Sequence, residues 1–147
     1  MGNSYKHINI VIAEDDEDDY LLISEALKKI DNIGLIYWAK DGDELLNYLE
    51  SCEEPDKSSG NFPSLIILDL NMPKKDGREA LYEIKNPPTR KSIPVIVLTT
   101  SQADADISQA YKLGANSFIQ KPFKYQDFKV TMEALQNYWL NIVKLPT

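Results

Sequence analysis

One cysteine, Cys52, and one histidine, His7, are the chain's whole supply of the residues that build soft metal centres and thiol chemistry. A lone thiol forms no internal disulfide and no multi-thiolate zinc site, so Cys52 reads as a bystander near a helix end. His7 stands near the start of the chain without a helical-bundle pattern around it, which argues against a histidine phosphotransfer site. Long apolar runs are missing as well: none approaches the roughly 20 residues that span a bilayer. The opening residues Met1 to His7 lack the apolar stretch and small-residue cleavage site of a secretion signal, so a cytoplasmic protein with no membrane partner is expected. Basic charge is in short supply too. Sixteen Lys and Arg face 23 Asp and Glu, for a net charge of −7. The cations are scattered, whereas nucleic-acid binding needs them concentrated on one face.

What is present is material for one core. The 147 residues are 43% apolar, which suits a single domain over 1–147 and leaves no room for a second, effector domain. Acids cluster from Glu14 to Asp19, an arrangement that invites a cation. Asp16 to Asp19 also suit the amino terminus of a helix, whose dipole favours negative charge.

Along the chain, short apolar runs alternate with helical spacing. Ile8 to Ala13 reads as a strand buried on both faces. Ile23, Leu27 and Ile30 recur at helical intervals. Leu35 to Trp38 is a second strand, and Leu45, Leu46 and Leu49 mark a second helix opened by the capping pair Asp41 and Glu44. Residues 51–63 are polar and rich in turn formers, which predicts a long loop. Leu65 to Leu68 runs as a third strand into Asp69, and Pro73 and Gly77 mark an irregular turn. A helix follows from about Arg78 to Lys85, then a fourth strand from Ile93 to Leu98. Ser101 and Asp104 resemble a second capping pair, whose helix closes at Gly114. Ser117 to Ile119 is a fifth strand.

This order predicts an α/β fold: a doubly wound, five-stranded parallel sheet with helices on both faces. Ligands of such sheets bind beyond the carboxyl ends of the strands. The residues there are Glu14 and Asp15, Asp69, Thr99 and Lys121. At ~5 Å and an effective dielectric near 20, each pair of carboxylates repels by about 3 kcal/mol. A hard cation, Mg2+ or Mn2+, relieves that repulsion and keeps positions open for phosphate oxygens. Asp69 is then a competent nucleophile toward phosphorus, with Lys121 supplying compact positive charge and Thr99 a hydroxyl.

These residues sit in four motifs: IVIAEDDEDD, LIILDLNMPKKDG, PVIVLTT and GANSFIQKPF. Together they resemble the receiver domain of two-component response regulators along nearly the whole chain. The resemblance implies the flavodoxin-like receiver fold, with Asp69 as phosphoacceptor. It implies Asp15 as a direct metal ligand, Glu14 as a ligand through water, and the backbone carbonyl of Asn71 as a third contact. Thr99 and Phe118 would be the switch pair, Lys121 the catalytic cation, and Asn71 and Ser101 the residues that tune hydrolysis. Such a domain is a signalling phosphoacceptor for a sensor histidine kinase; its only chemistry is phosphoryl transfer to itself and autodephosphorylation.

The long loop and the ending WLNIVKLP further resemble single-domain regulators that partner phytochromes and related sensor kinases. In the extension 138–147, Trp139 and Ile142 continue a seam begun by Phe128, Met132 and Leu135. Those last three suit core packing. The apolar excess beyond them predicts a homodimer through the fourth and fifth helices and this tail. Two other function classes fit less well. A haloacid-dehalogenase-like phosphohydrolase would carry its nucleophile after the first strand and an acid where this chain has Asn71. A purely structural module would not need all the rim residues intact.

Overall fold

Apart from Asn9 and Thr99 the three central strands are wholly apolar, and successive side chains feed opposite faces of the sheet. Val11, Ala13, Ile66, Leu68, Val95 and Val97 face one core; Ile10, Ile12, Leu65, Ile67, Ile96 and Leu98 face the other. The computed structural model describes residues 7–53 and 62–146. Its elements are β1 Ile8–Ala13, α1 Glu17–Leu27, β2 Ile33–Ala39, α2 Gly42–Glu53, β3 Leu65–Leu68, α3 Gly77–Lys85, β4 Val95–Thr99, α4 Asp104–Lys112, β5 Ser117–Gln120 and α5 Tyr125–Gln136. A π-helical segment, Asn137–Ile142, continues α5. The strands are parallel in the order β2-β1-β3-β4-β5, so the expected doubly wound α/β sheet is found. Helices α1 and α5 cover one face, and α2, α3 and α4 the other. Among the described residues no helix is long and apolar enough to cross a membrane.

Local chemistry explains most element ends. Asp16 caps α1 by accepting from the Asp19 amide at 3.0 Å. The Asp41 and Glu44 pair opens α2 as expected: the Glu44 amide donates to Asp41 at 2.8 Å, and Glu44 accepts from the Lys40 amide at 3.0 Å. Gly114, at φ 110°, ends α4 in a conformation that other residues adopt only with strain. A Cβ on Gly77 would lie 2.3 Å from the Asp69 carbonyl oxygen, so glycine is what lets α3 start against the loop that carries Asp69.

Three expectations need correction. The loop placed at 51–63 begins later, because Ser51 to Glu53 form the last turn of α2. Cys52, three residues after Leu49, continues the buried stripe, and Glu53 receives Arg90 Nη1 at 2.6 Å. Residues 54–61 of that loop lie outside the described residues. Ser101 and Asp104 do not form a capping pair: Ala103 occupies the cap position without a side-chain bond, and the Ser101 hydroxyl donates to Asp106 Oδ2 at 2.5 Å. Strand β4 starts at Val95 and not at Ile93, since Pro94 has no N–H to give to the ladder.

The tail follows the expected seam only as far as Leu135. Phe128, Met132 and Leu135 are buried, but the next buried residue is Leu140, and Ile142 is 59% exposed. The Val143 amide bonds the Tyr138 carbonyl at 2.8 Å, an i→i+5 step that adds a residue to the turn and shifts the helix phase. Trp139 and Leu145 are left half-buried against the α1/α5 core.

Candidate functional site

Strand register builds the site. Ala13 pairs with Leu68, so Glu14 and Asp69 leave the sheet side by side, with the Asp69 amide bonded to the Ala13 carbonyl at 3.0 Å. On the other side of β3, Thr99 pairs with Gln120, and the Lys121 amide then bonds the Thr99 carbonyl at 2.6 Å. The strand order reverses between β1 and β3, which is where such sheets open a crevice.

One oxygen from each of Glu14, Asp15 and Asp69 lies within 4.8 Å of the others. Glu14 and Asp69 are buried, while Asp15 faces solvent. Lys121, only 3% exposed, reaches Glu14 Oε1 at 2.5 Å, Asp19 Oδ2 at 2.9 Å and Asp69 Oδ2 at 3.1 Å. Burial and the Asp69 charge push the Glu14 carboxyl up to about 8, against the pull of Lys121. Burial would lower the Lys121 ammonium, but its bond to Glu14 and the charges of Glu14 and Asp69 outweigh that and raise it, so it stays cationic. Crowded hard oxygens with one exposed member fit a small divalent cation, which keeps several waters and takes one or two carboxylates from the protein.

The remaining residues lie around this centre. Thr99 is fully buried, and its hydroxyl accepts from the Asn71 side-chain amide at 3.3 Å. The Asn71 backbone amide donates to Asp69 Oδ1 at 3.1 Å. Val97 pairs with Phe118, so the half-buried Phe118 lies two register positions below Thr99 on the same sheet face, against the α2/α3/α4 core. Ser101 Oγ is held by Asp106, which also receives Arg78 Nη2 at 3.0 Å.

Sequence reasoning placed Asp19 in the cation-inviting acid run and at the helix end, and missed its ion pair with Lys121. It also missed Trp38, whose indole Nε1 donates to the Glu14 carbonyl at 2.7 Å, and the Arg78–Asp106 link between α3 and α4.

Comparison with known proteins follows the same lines. The family model for the response regulator receiver domain matches residues 10–133. The chain is 40% identical over 139 residues to the response regulator Rcp1 of Synechocystis, covering 93% of this chain and 92% of that one. It is 38% identical over 137 residues to the probable methanogenesis regulatory protein FilR2 of Methanothrix harundinacea, covering 93% and 86%. Among solved structures, the phosphorylated cyanobacterial phytochrome response regulator RcpA superposes with TM-score 0.87 at 39% identity, covering 96% of this chain and 99% of that one. The Mn2+-bound form of Rcp1 gives 0.83 at 35% identity, covering 95% and 99%. Strand order, strand-end acids and lysine, and the match over most of the sequence agree: the chain belongs to the response regulator receiver domain family of two-component signalling.

Proposed function

We propose that this chain is a cytoplasmic, single-domain phosphoacceptor: Asp69 takes a phosphoryl group from a sensor histidine kinase in a Mg2+-dependent reaction and alters partner binding through Thr99 and Phe118. The observation that carries the reading is the Glu14, Asp15 and Asp69 cluster within 4.8 Å, with Lys121 Nζ 3.1 Å from Asp69 Oδ2. An Asp69 carboxylate oxygen attacks phosphorus, the P–N bond to the kinase histidine breaks, and the imidazole leaves with the bonding pair. Asp15, Asp69 and the Asn71 carbonyl would hold Mg2+ or Mn2+, with Glu14 acting through water; the ion supplies positive charge to the transferring group. The Mn2+-bound relative supports that choice of ion. Lys121 offsets the charge on the new aspartyl phosphate.

The Thr99 hydroxyl exchanges its Asn71 partner for a phosphoryl oxygen, and Phe118 moves into the space released above it. Asn71 and Ser101, beside the site, tune hydrolysis of the acyl phosphate. The phytochrome response regulator among the solved relatives supports a phytochrome-type kinase as donor. Exposed Tyr111, Val130, Tyr138 and Ile142 on α4, α5 and the tail support a homodimer across that surface. Incubation with a small acyl phosphate and Mg2+, read by intact mass, tests the core of the reading. One phosphoryl group should add to the wild type and none to Asp69→Asn; equal labelling of both would remove Asp69 from the role.

A further inference from the structure

We propose that Trp38 is a positioning residue for the acid pair: its indole N–H, braced by the ring stack on Tyr20, sets the peptide that joins Glu14 to Asp15. The inference rests on the reading of this cluster as a cation site. Strand alternation sends Tyr37 to the α2 side, where it stacks on Tyr48, and Trp38 to the α1 side, where it stacks on Tyr20 at 4.2 Å and 5°. From there Nε1 donates to the Glu14 carbonyl at 2.7 Å, at the short end of the range for an N–H···O bond. That carbonyl lies in the irregular stretch between the end of β1 at Ala13 and the start of α1 at Glu17. The Glu14 amide meanwhile bonds the Ala39 carbonyl at 3.0 Å, so β2 grips Glu14 by both backbone groups.

The grip falls where it matters for Asp15. Lys121 restrains the side chains of Glu14 and Asp69. Among the described residues no hydrogen bond holds the Asp15 carboxylate, so the backbone alone aims it into the cluster. Like charges push the acid loop apart, and the indole opposes that spreading. Trp is a donor only, so this single N–H has no other polar role. Lys40 Nζ, 4.9 Å from the centroid of the same ring, further restrains it.

The test is Mg2+ affinity by calorimetry on the full chain, with thermal melting and acyl-phosphate labelling rate against Mg2+ concentration. Trp38→Phe should weaken Mg2+ binding about threefold to tenfold, the range a lost hydrogen bond supports. Its labelling rate at saturating Mg2+ should stay within about twofold of wild type, a split that loss of packing alone would not produce. Tyr20→Ala should weaken binding in the same direction, and Tyr20→Phe, which keeps the ring stack, should restore it. Wild-type affinity in a folded Trp38→Phe variant overturns the inference; if that variant does not fold, wild-type affinity in Tyr20→Ala does so. A wild type that binds no Mg2+ overturns the cation reading itself, and the inference falls with it.

Discussion

Lys121 Nζ lies closer to Glu14 Oε1, at 2.5 Å, than to the Asp69 oxygen at 3.1 Å. The lysine therefore holds the buried Glu14 as well as Asp69. Removing one partner of a buried ion pair leaves uncompensated charge, at ~3 kcal/mol or more. Lys121→Ala should melt well below wild type without divalent cation and recover part of the loss with Mg2+, while labelling of Asp69 or the response to it is impaired. Equal melting temperatures without cation would show that Asp19 and solvent do not need the lysine.

Asp15 offers the opposite balance. Its side chain is exposed, so Asp15→Asn should change stability by less than ~0.5 kcal/mol. Loss of a ligand charge should still weaken Mg2+ about tenfold, ~1.4 kcal/mol. An unaltered Mg2+ titration would take Asp15 out of the cation's ligand set.

Thr99 is fully buried and bonded to Asn71, so Thr99→Ala should cost about 1 kcal/mol and leave Asp69 able to accept a phosphoryl group. A ligand shifts a conformational equilibrium only through contacts that differ between the states. Without the hydroxyl, labelling should produce no change in amide exchange over β4, α4 and β5. A normal change in the labelled variant would break the proposed Thr99 and Phe118 linkage.

Helix α4 buries only Ala110 and has no side-chain cap; its first turn is held by Asp106, bonded to Ser101 and Arg78. The Ser101 bond, then the Arg78 bond, holds the Asp106 carboxyl below its ordinary value of 3.8. A depressed carboxyl stabilises above the unfolded value and loses that contribution as pH falls through the folded one. Amide protection of the first α4 turn, corrected for intrinsic rates, should therefore be flat from pH 5 to 8 and should fall in Asp106→Asn at every pH in that window. Protection unchanged in the variant would assign the anchoring to packing.

The phase shift in the tail gives a contrast between near neighbours. Leu140→Ala should destabilise by about 2–3 kcal/mol, and Ile142→Ala by less than ~0.5 kcal/mol, because Leu140 fills the core and Ile142 does not. A larger effect at Ile142 would restore a regular helical register. If instead Ile142→Ala lowers the mass in solution at high concentration, the exposed side chain belongs to a dimer contact.

The strands, their alternation with helices and the rim of functional groups were legible because they depend on local periodicity. Runs such as Leu65 to Leu68, short and bounded by turn formers, read as buried strands, and the residues that end them meet along one sheet edge. Glu14, Asp15, Asp69, Thr99 and Lys121 were found that way, as was the Asp41 cap of α2. What depends on distance through space was not legible. The Asp19 bond to Lys121 joins positions 102 residues apart, and the Trp38 bond to the Glu14 carbonyl requires the β1/β2 register. Ser101 bonds Asp106, which also receives Arg78 from α3, an arrangement that depends on how α3 and α4 pack. In the tail, Trp139 and Ile142 suited an unbroken α-helix, but Leu140 entered the core. One extra residue in the turn decided that, and the pattern of apolar residues allows either phase until the sheet presents the surface that must be covered.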